Sequence, residues 1–266
     1  MSKQSLQSAE RPVTKENRQY HLQTKPGDIA PHCLLVGAPE RAEMIAKQFL
    51  TEAKEFGNHR GLRSFTGFYK KLAVSVITTG MGGASTGIVL PEAVRSGARR
   101  FIRVGSCGSL RKEADIGHSA IFTGAVRLDG ASENWAPIEY PAVADFRIVA
   151  ALKEAAEKLK VPHHLGINVT TSCFMEGQAR PDDNGYIPQR IINQHQELIQ
   201  CGALAYSMEE ATIFVWCLTH GGYWAGAIDA VFANRQTNKF GTEGEEQAAK
   251  IALEAIIVLN KKYPLN

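Results

Sequence analysis

Short apolar runs of strand type, separated by stretches with helical spacing, leave this chain few architectures to adopt. The runs fall at residues 33–36, 72–78, 100–104, 119–126, 166–171 and 223–232. Helical patterns occupy residues 40–49, 85–96, 145–159, 188–200, 209–219 and 243–260. Strands alternating with helices bury their apolar faces as layers, so an α/β fold with a parallel or mixed central sheet is predicted. A chain of 266 residues, 44% of them hydrophobic, can bury one such core, and no repeat or low-complexity linker divides it. One domain over residues 17–266 is expected, behind a polar, flexible N-terminal arm at residues 1–16. Pro91, inside the second helical pattern, crowds the carbonyl of Gly87 and predicts a kink. Residues 129–145 contain Pro137 and Pro141 and show no period, which predicts an ordered excursion over the surface.

Composition removes several classes of function. Basic side chains number 30 against 27 acidic ones, a formal charge of only +3, and no basic block is interleaved with aromatics. Nucleic acid is therefore not an expected partner. The most apolar stretch, 211–233, is interrupted by His220, Gly221, Gly222 and Asp229. It reads as a buried helix, a turn and a buried strand rather than a membrane span. Cys33, Cys107, Cys173, Cys201 and Cys217 are odd in number and lack metal-ligand spacing, and the N-terminal residues lack the apolar core of a secretory signal. Reduced thiols in the cytoplasm are the expectation.

Four strand ends run into small or donor-rich residues. They are Gly37-Ala38-Pro39-Glu40-Arg41, Thr79-Gly80-Met81-Gly82-Gly83-Ala84-Ser85, Arg103-Val104-Gly105-Ser106-Cys107-Gly108 and Ala233-Asn234-Arg235. Ligands of α/β sheets collect outside the carboxyl ends of the strands, where glycines let the backbone approach an oxyanion and helix N-termini offer free N–H groups. That setting suits phosphate. Neither the dinucleotide fingerprint nor the P-loop is present, so nucleotide triphosphates and dinucleotide cofactors are not expected. Gly37 through Arg41 also reads as an ordinary strand-to-helix turn with Pro39 near the first helical position. Arg103 closes an apolar strand and must find an anion, whether a ligand or a structural carboxylate, and Ser106 adds a hydroxyl donor.

These blocks, in this order, resemble the nucleoside phosphorylase-I superfamily, and within it the uridine phosphorylase branch, from about residue 20 to the last helical pattern. The segment 79–83 and the segment 103–108 carry part of the likeness. Val126-Arg127-Leu128-Asp129-Gly130-Ala131-Ser132 and Tyr140-Pro141-Ala142-Val143-Ala144-Asp145-Phe146 look like hexameric bacterial members, and Met208-Glu209-Glu210-Ala211-Thr212 completes the set. The resemblance implies a mixed sheet closed into a distorted barrel and flanked by helices. It implies a homo-oligomer of dimers within a hexamer. It also implies reversible phosphorolysis of uridine, with deoxyuridine or thymidine as further substrates, to uracil and a pentose 1-phosphate in pyrimidine salvage. Inorganic phosphate would be the co-substrate, with no metal and no organic cofactor.

Carried over residue by residue, the resemblance gives phosphate to Gly37, Arg41, Arg103 and Ser106, and to Arg60, which family members insert from a neighbouring subunit. His21, also from a neighbour, would face the ribose with Met208 and Glu209. Phe174, Gln178 and Arg180 fall in a segment similar to the one in which a Gln and an Arg, two apart, read the uracil edge. An amide pairs with a carbonyl and a ring N–H together, while a guanidinium binds the remaining carbonyl. Arg235 stands where purine-cleaving relatives hold an acid that protonates the leaving base, which speaks against purines and implies a pocket or capping role. On bare sequence, Gln178 and Arg180 read as surface-loop residues, His21 and His59 as exposed singletons, Met208 as core, and Glu209 as a first-turn acid.

Three positions depart from the family pattern. Ala38 replaces a common Asp, Ala84 a frequent Pro, and Ser207 the first carboxylate of a Glu-Met-Glu ribose motif. Losing a carboxylate beside a developing oxocarbenium charge predicts turnover impaired by roughly 1–3 kcal/mol, with a gain on Ser207→Glu. The alternative is a paralogue that binds nucleoside and phosphate with little turnover.

Overall fold

The computed structural model describes residues 8–265. Strand β1 (His32–Val36) leads into α1 (Pro39–Phe49), whose first turn tolerates Pro39 because the missing N–H has no intrahelical partner there. A hairpin that the apolar runs did not announce follows, β2 (Thr51–His59) and β3 (Leu62–Tyr69). β2 is exposed over its first five residues and carries Glu52, Lys54 and Glu55. Charges on an edge strand discourage pairing with another chain, and the same polarity hides the strand from a search for apolar runs.

β4 (Leu72–Thr78), α2 (Gly83–Ser96), β5 (Arg100–Ser109) and β6 (Ser119–Leu128) come next. They are followed by β7 (Ala142–Val143), α3 (Phe146–Leu159), β8 (His163–Thr171), α4 (Gln189–Gln200) and β9 (Ala205–Ser207). α5 (Glu210–Thr219), β10 (Trp224–Asn234), β11 (Lys239–Phe240) and α6 (Glu245–Lys262) complete the described chain. α2 continues through Pro91 as one helix. Gly87 answers a different need, since a Cβ there would come within 2.9 Å of the Trp135 indole.

The strands form one mixed sheet in the order β11-β10-β6-β8-β9-β5-β1-β4-β3-β2, with β7 on β6. β10 also pairs with β5, which closes β5, β10, β6, β8 and β9 into a ring. This is the barrel that the resemblance implied. β1 and β4 extend the ring in parallel from β5. Phe101 belongs to the same core cluster as Leu90 of α2, Phe122 of β6 and Phe214 of α5, whereas its neighbour Ile102 belongs to a second one with Ile45 of α1, Leu152 of α3 and Leu253 of α6. Successive residues of a strand face opposite ways, so β5 is covered on both faces and reads as a continuous apolar run.

The excursion at 129–145 holds a 3-10 turn at Ala131–Asn134 and is laced by two buried side chains. Asp129 accepts from Ser132 N, Ser132 Oγ and Thr212 Oγ1 at 2.9, 2.7 and 2.6 Å. Arg127 donates to Ser132 Oγ and to the carbonyls of Ala136 and Tyr140 at 3.0, 2.8 and 2.7 Å. Asp145 then caps α3 by accepting from Arg147 N at 2.9 Å. The family-like segments 126–132 and 140–146 therefore hold the framework together. Gly83 lies against the same network, where a Cβ would sit 2.3 Å from Thr212 Oγ1 and 2.8 Å from Ala131 Cβ. Gly83→Ala should lower the melting midpoint, with overpacking costing about 1–3 kcal/mol.

Of the expected N-terminal arm, residues 1–7 lie outside the described residues, and Val13 forms a bridge with Gln19. Among the described residues no helix is long and apolar enough to cross a membrane, and the five cysteines are free thiols.

Candidate active site

β1, β4, β5 and β10 run parallel, and a cavity of about 1060 Å³ opens beyond their carboxyl ends. Gly37, Ala38, Arg41, Arg60, Arg103, Ser106, Phe174, Gln178, Arg180, Ser207, Met208, Glu209 and Arg235 all line it. His21 does not.

Arg103, on β5, is only 5% exposed and does not stand open to an anion. Its Nη2 meets Glu209 Oε2 at 2.5 Å, its Nε meets Glu210 Oε1 at 2.7 Å, and Asp229 Oδ1 lies 3.9 Å away. Of the two anions the sequence allowed, the structural carboxylate is the one Arg103 holds here. Burial opposes its charge, but the three acids outweigh burial and hold the guanidinium protonated above the ordinary range. Burial pushes Glu209 up, Arg103 relieves this in part, and Glu210 adds to it. Burial would also raise Glu210, but Arg103 and the Ser207 hydroxyl hold it low, so Glu210 keeps its charge. Asp229 is fully buried with no hydrogen-bond partner for either oxygen, and burial followed by Glu210 pushes it well above the carboxylate range. Position 105 must be glycine here, because a Cβ would lie 2.3 Å from Asp229 Oδ1 and 2.6 Å from Arg103 Cζ.

The other expected phosphate arginine is also engaged. Arg41 pairs through Nε with Glu245 in the first turn of α6 and donates from Nη1 to the Val104 carbonyl at 3.1 Å. The glycine loop between β4 and α2 turns through Gly80 and Gly82, at φ +70° and +85°, values open to glycine. It presents Gly82 N to Glu209 Oε1 at 2.5 Å, so the loop positions the acid expected at the ribose.

The loop after β8 carries the base-reading pair. Gln178 is 2% exposed, not a surface residue. Its Nε2 donates to Thr171 Oγ1 at 3.0 Å, and its Oε1 accepts from Arg180 Nη1 at 2.5 Å. Arg180 also donates to the Phe174 carbonyl at 2.7 Å and lies 3.9 Å over the Phe174 ring. Burial, then the neighbouring Arg235, brings Arg180 down to about 10, which leaves it cationic at neutral pH. Arg235 acts on the backbone of this loop, donating to the carbonyls of Gln178 and Ala179 at 2.7 and 2.9 Å. The clamp holds Ala179 at φ +53°, a conformation that costs a non-glycine residue free energy.

The model of the phosphorylase superfamily matches residues 31–258. The chain belongs to this superfamily. It is similar to a uridine phosphorylase of Thermococcus kodakarensis, 46% identical over 252 residues that cover 95% of this chain and 90% of that one. A uridine phosphorylase of Treponema pallidum is 36% identical over 246 residues, covering 91% and 94%. A DeoD-type purine nucleoside phosphorylase of Streptococcus suis is 34% identical over 197 residues, covering 73% and 78%. Superfamily membership alone thus leaves the base open.

His21 sits away from this phosphorylase chain's own cavity. Its Nδ1 lies 2.8 Å from Glu92 Oε1, and the adjacent Leu22 N donates to Glu92 Oε2 at 2.8 Å. Tyr20 packs edge-on against His21 and His59, and Arg60, at φ +55° in the β2–β3 turn, places its guanidinium 5.8 Å over the Tyr20 ring. Arg60 lines the rim of its own chain's cavity, a place that the neighbour carry-over did not anticipate. Glu210 and Asp229 were missed as site residues. The signal was present, because a carboxylate inside an apolar run needs a partner, and Asp229 pairs in register with Gly105, two residues after the solitary strand cation Arg103.

Proposed function

We propose that this phosphorylase superfamily chain cleaves uridine with inorganic phosphate, giving uracil and ribose 1-phosphate. The carrying observation is the base wall: a buried Gln178 amide hydrogen-bonded to a cationic Arg180, in a loop whose Gln178 and Ala179 carbonyls are held by Arg235, the arginine that the family resemblance sets where purine-cleaving members hold an acid. As the C1′–N1 bond breaks, negative charge flows into uracil and reaches its carbonyl oxygens, where Arg180 and Gln178 donate. Phosphate approaches the opposite face of the sugar, held by Gly37, Arg41, Ser106 and a neighbour's Arg60, and by Arg103 as it takes the place of Glu209 on the guanidinium Nη2. It displaces the part-exposed Glu245 from Arg41. Met208 and Glu209 face the ribose. Binding all reactants in one cavity supplies the entropic share of the barrier reduction. Deoxyuridine and thymidine belong to the same substrate class. Uracil release from uridine should require phosphate, and inosine should be a poor substrate; phosphate-independent cleavage or a preference for inosine would overturn the reading.

The same proposal covers assembly. The patch of Tyr20, His21, His59 and Arg60 completes a neighbour's cavity in a hexamer of dimers, with residues 17–266 as the domain and 1–16 as its arm, in the cytoplasm. Light scattering should give a mass several times the 29.1 kDa of one chain. A fully active monomer would sink the shared site.

A further inference from the structure

We infer that Ser207 and Glu210 act as one group at the ribose wall, Ser207 Oγ offering a ribose hydroxyl only a lone pair, with the Glu210 carboxylate one hydrogen bond behind it. The inference rests on the proposed uridine cleavage and assigns Glu210 as a positioning residue. A chain of hydrogen bonds carries it, its direction fixed by two groups that can only accept, the Ala205 carbonyl and the Glu210 carboxylate. Ala211 N, a backbone amide that can only donate, gives its proton to Thr170 Oγ1 at 3.0 Å. The Thr170 hydroxyl donates its own proton to Asn168 Oδ1 at 2.6 Å. The Asn168 amide is oriented by the Ala205 carbonyl, which takes Nδ2 at 3.4 Å, and the same Nδ2 donates to Ser207 Oγ at 2.8 Å. Ser207 in turn donates to Glu210 Oε2, while Glu210 Oε1 takes Arg103 Nε at 2.7 Å.

An alcohol oxygen has two lone pairs and one proton. In Ser207 the proton and one pair are committed, and the residue lines the cavity while remaining 3% exposed. What faces the substrate is an acceptor backed by a buried anion, since Glu210 is 0% exposed. The carboxylate that the family motif places at 207 has therefore moved one layer back instead of vanishing. This reverses the sequence expectation for Ser207→Glu, because a second carboxylate would now be pressed against Glu210.

The test is kcat/KM for uridine, 2′-deoxyuridine and 3′-deoxyuridine in wild type, S207A, S207T, E210Q, S207A/E210Q and S207E. S207A should lose about tenfold or more on uridine and lose nothing on the analogue that lacks the accepted hydroxyl. S207T keeps the oxygen and should stay within about threefold of wild type. E210Q should matter in the Ser207 background and not in the S207A background, and S207E should lower turnover. Equal losses on all three substrates in S207A, or no loss on any, would overturn the inference, and this comparison stands even if E210Q does not fold. Wild type inactive on uridine would instead remove the functional reading. Calorimetric binding of ribose 1-phosphate and its 2-deoxy and 3-deoxy forms to wild type and S207A then decides the acceptor role by itself.

Discussion

Replacing Arg103 by Met should lower folding stability by about 3–5 kcal/mol near neutral pH, because Glu209 and Glu210 stay buried after their cation is gone. The loss should depend on pH with a definite sign. Glu209 already sits above the ordinary carboxylate range through burial; without Arg103 it rises further, and Glu210 loses the cation that holds it low against its own burial. The folded variant then holds protons that its unfolded chain releases, so its stability falls as pH rises through the raised folded-state values and recovers on acidification. Melting at about pH 5.5 and about pH 7.5 should show the variant closer to wild type at the lower value. Equal deficits at both would mean that the acids are not what Arg103 neutralises. Arg103→Lys should rescue only part, because an ammonium cannot span two carboxylates as the planar fork does.

Arg180→Ala should remove about 2–4 kcal/mol of transition-state stabilisation for uridine, roughly 30-fold to 1000-fold in kcat/KM. The contact strengthens as the base becomes anionic, so the loss should appear in kcat more than in KM. Arg180 also supports Gln178 and the Phe174 carbonyl, so part of the loss comes from a slacker loop. Arg235→Ala separates the two contributions. It leaves the guanidinium of Arg180 but frees the carbonyls of Gln178 and Ala179, and it should change kcat and KM together. Unchanged uridine kinetics in Arg180→Ala would move the base pocket elsewhere.

What the sequence displayed was whatever local pattern decides. The strands that build the two-sided sheet, and the helices on its faces, follow from apolar runs and helical spacing. β2 was hidden because an exposed edge strand has no apolar face to display. β9 was hidden because Ala205–Ser207 is too short to show a period. At the site, the strand-end residues were visible because glycines and a lone strand arginine are unusual in such places. Their partnerships were not. Gln178 reads as a loop residue, yet it is buried by a clamp from Arg235, 57 positions away. Ser207 reads as a lost carboxylate until the buried Glu210, three residues on, is seen to hold its proton. Such contacts depend on where the chain returns, which no local window contains.

The closed ring also divides the cavity by time scale. β5 lies between β1 and β10 at residues 101–103, so the amides of these residues cannot meet solvent without opening the sheet on one side or the other. Their hydrogen exchange should be limited by global unfolding, whereas the β2–β3 turn bearing Arg60 lies at a free edge and should exchange through local opening. The backbone that carries Arg103 is thus expected to behave as a clock-slow anchor, and the turn that carries Arg60 as the part of the sheet that opens first.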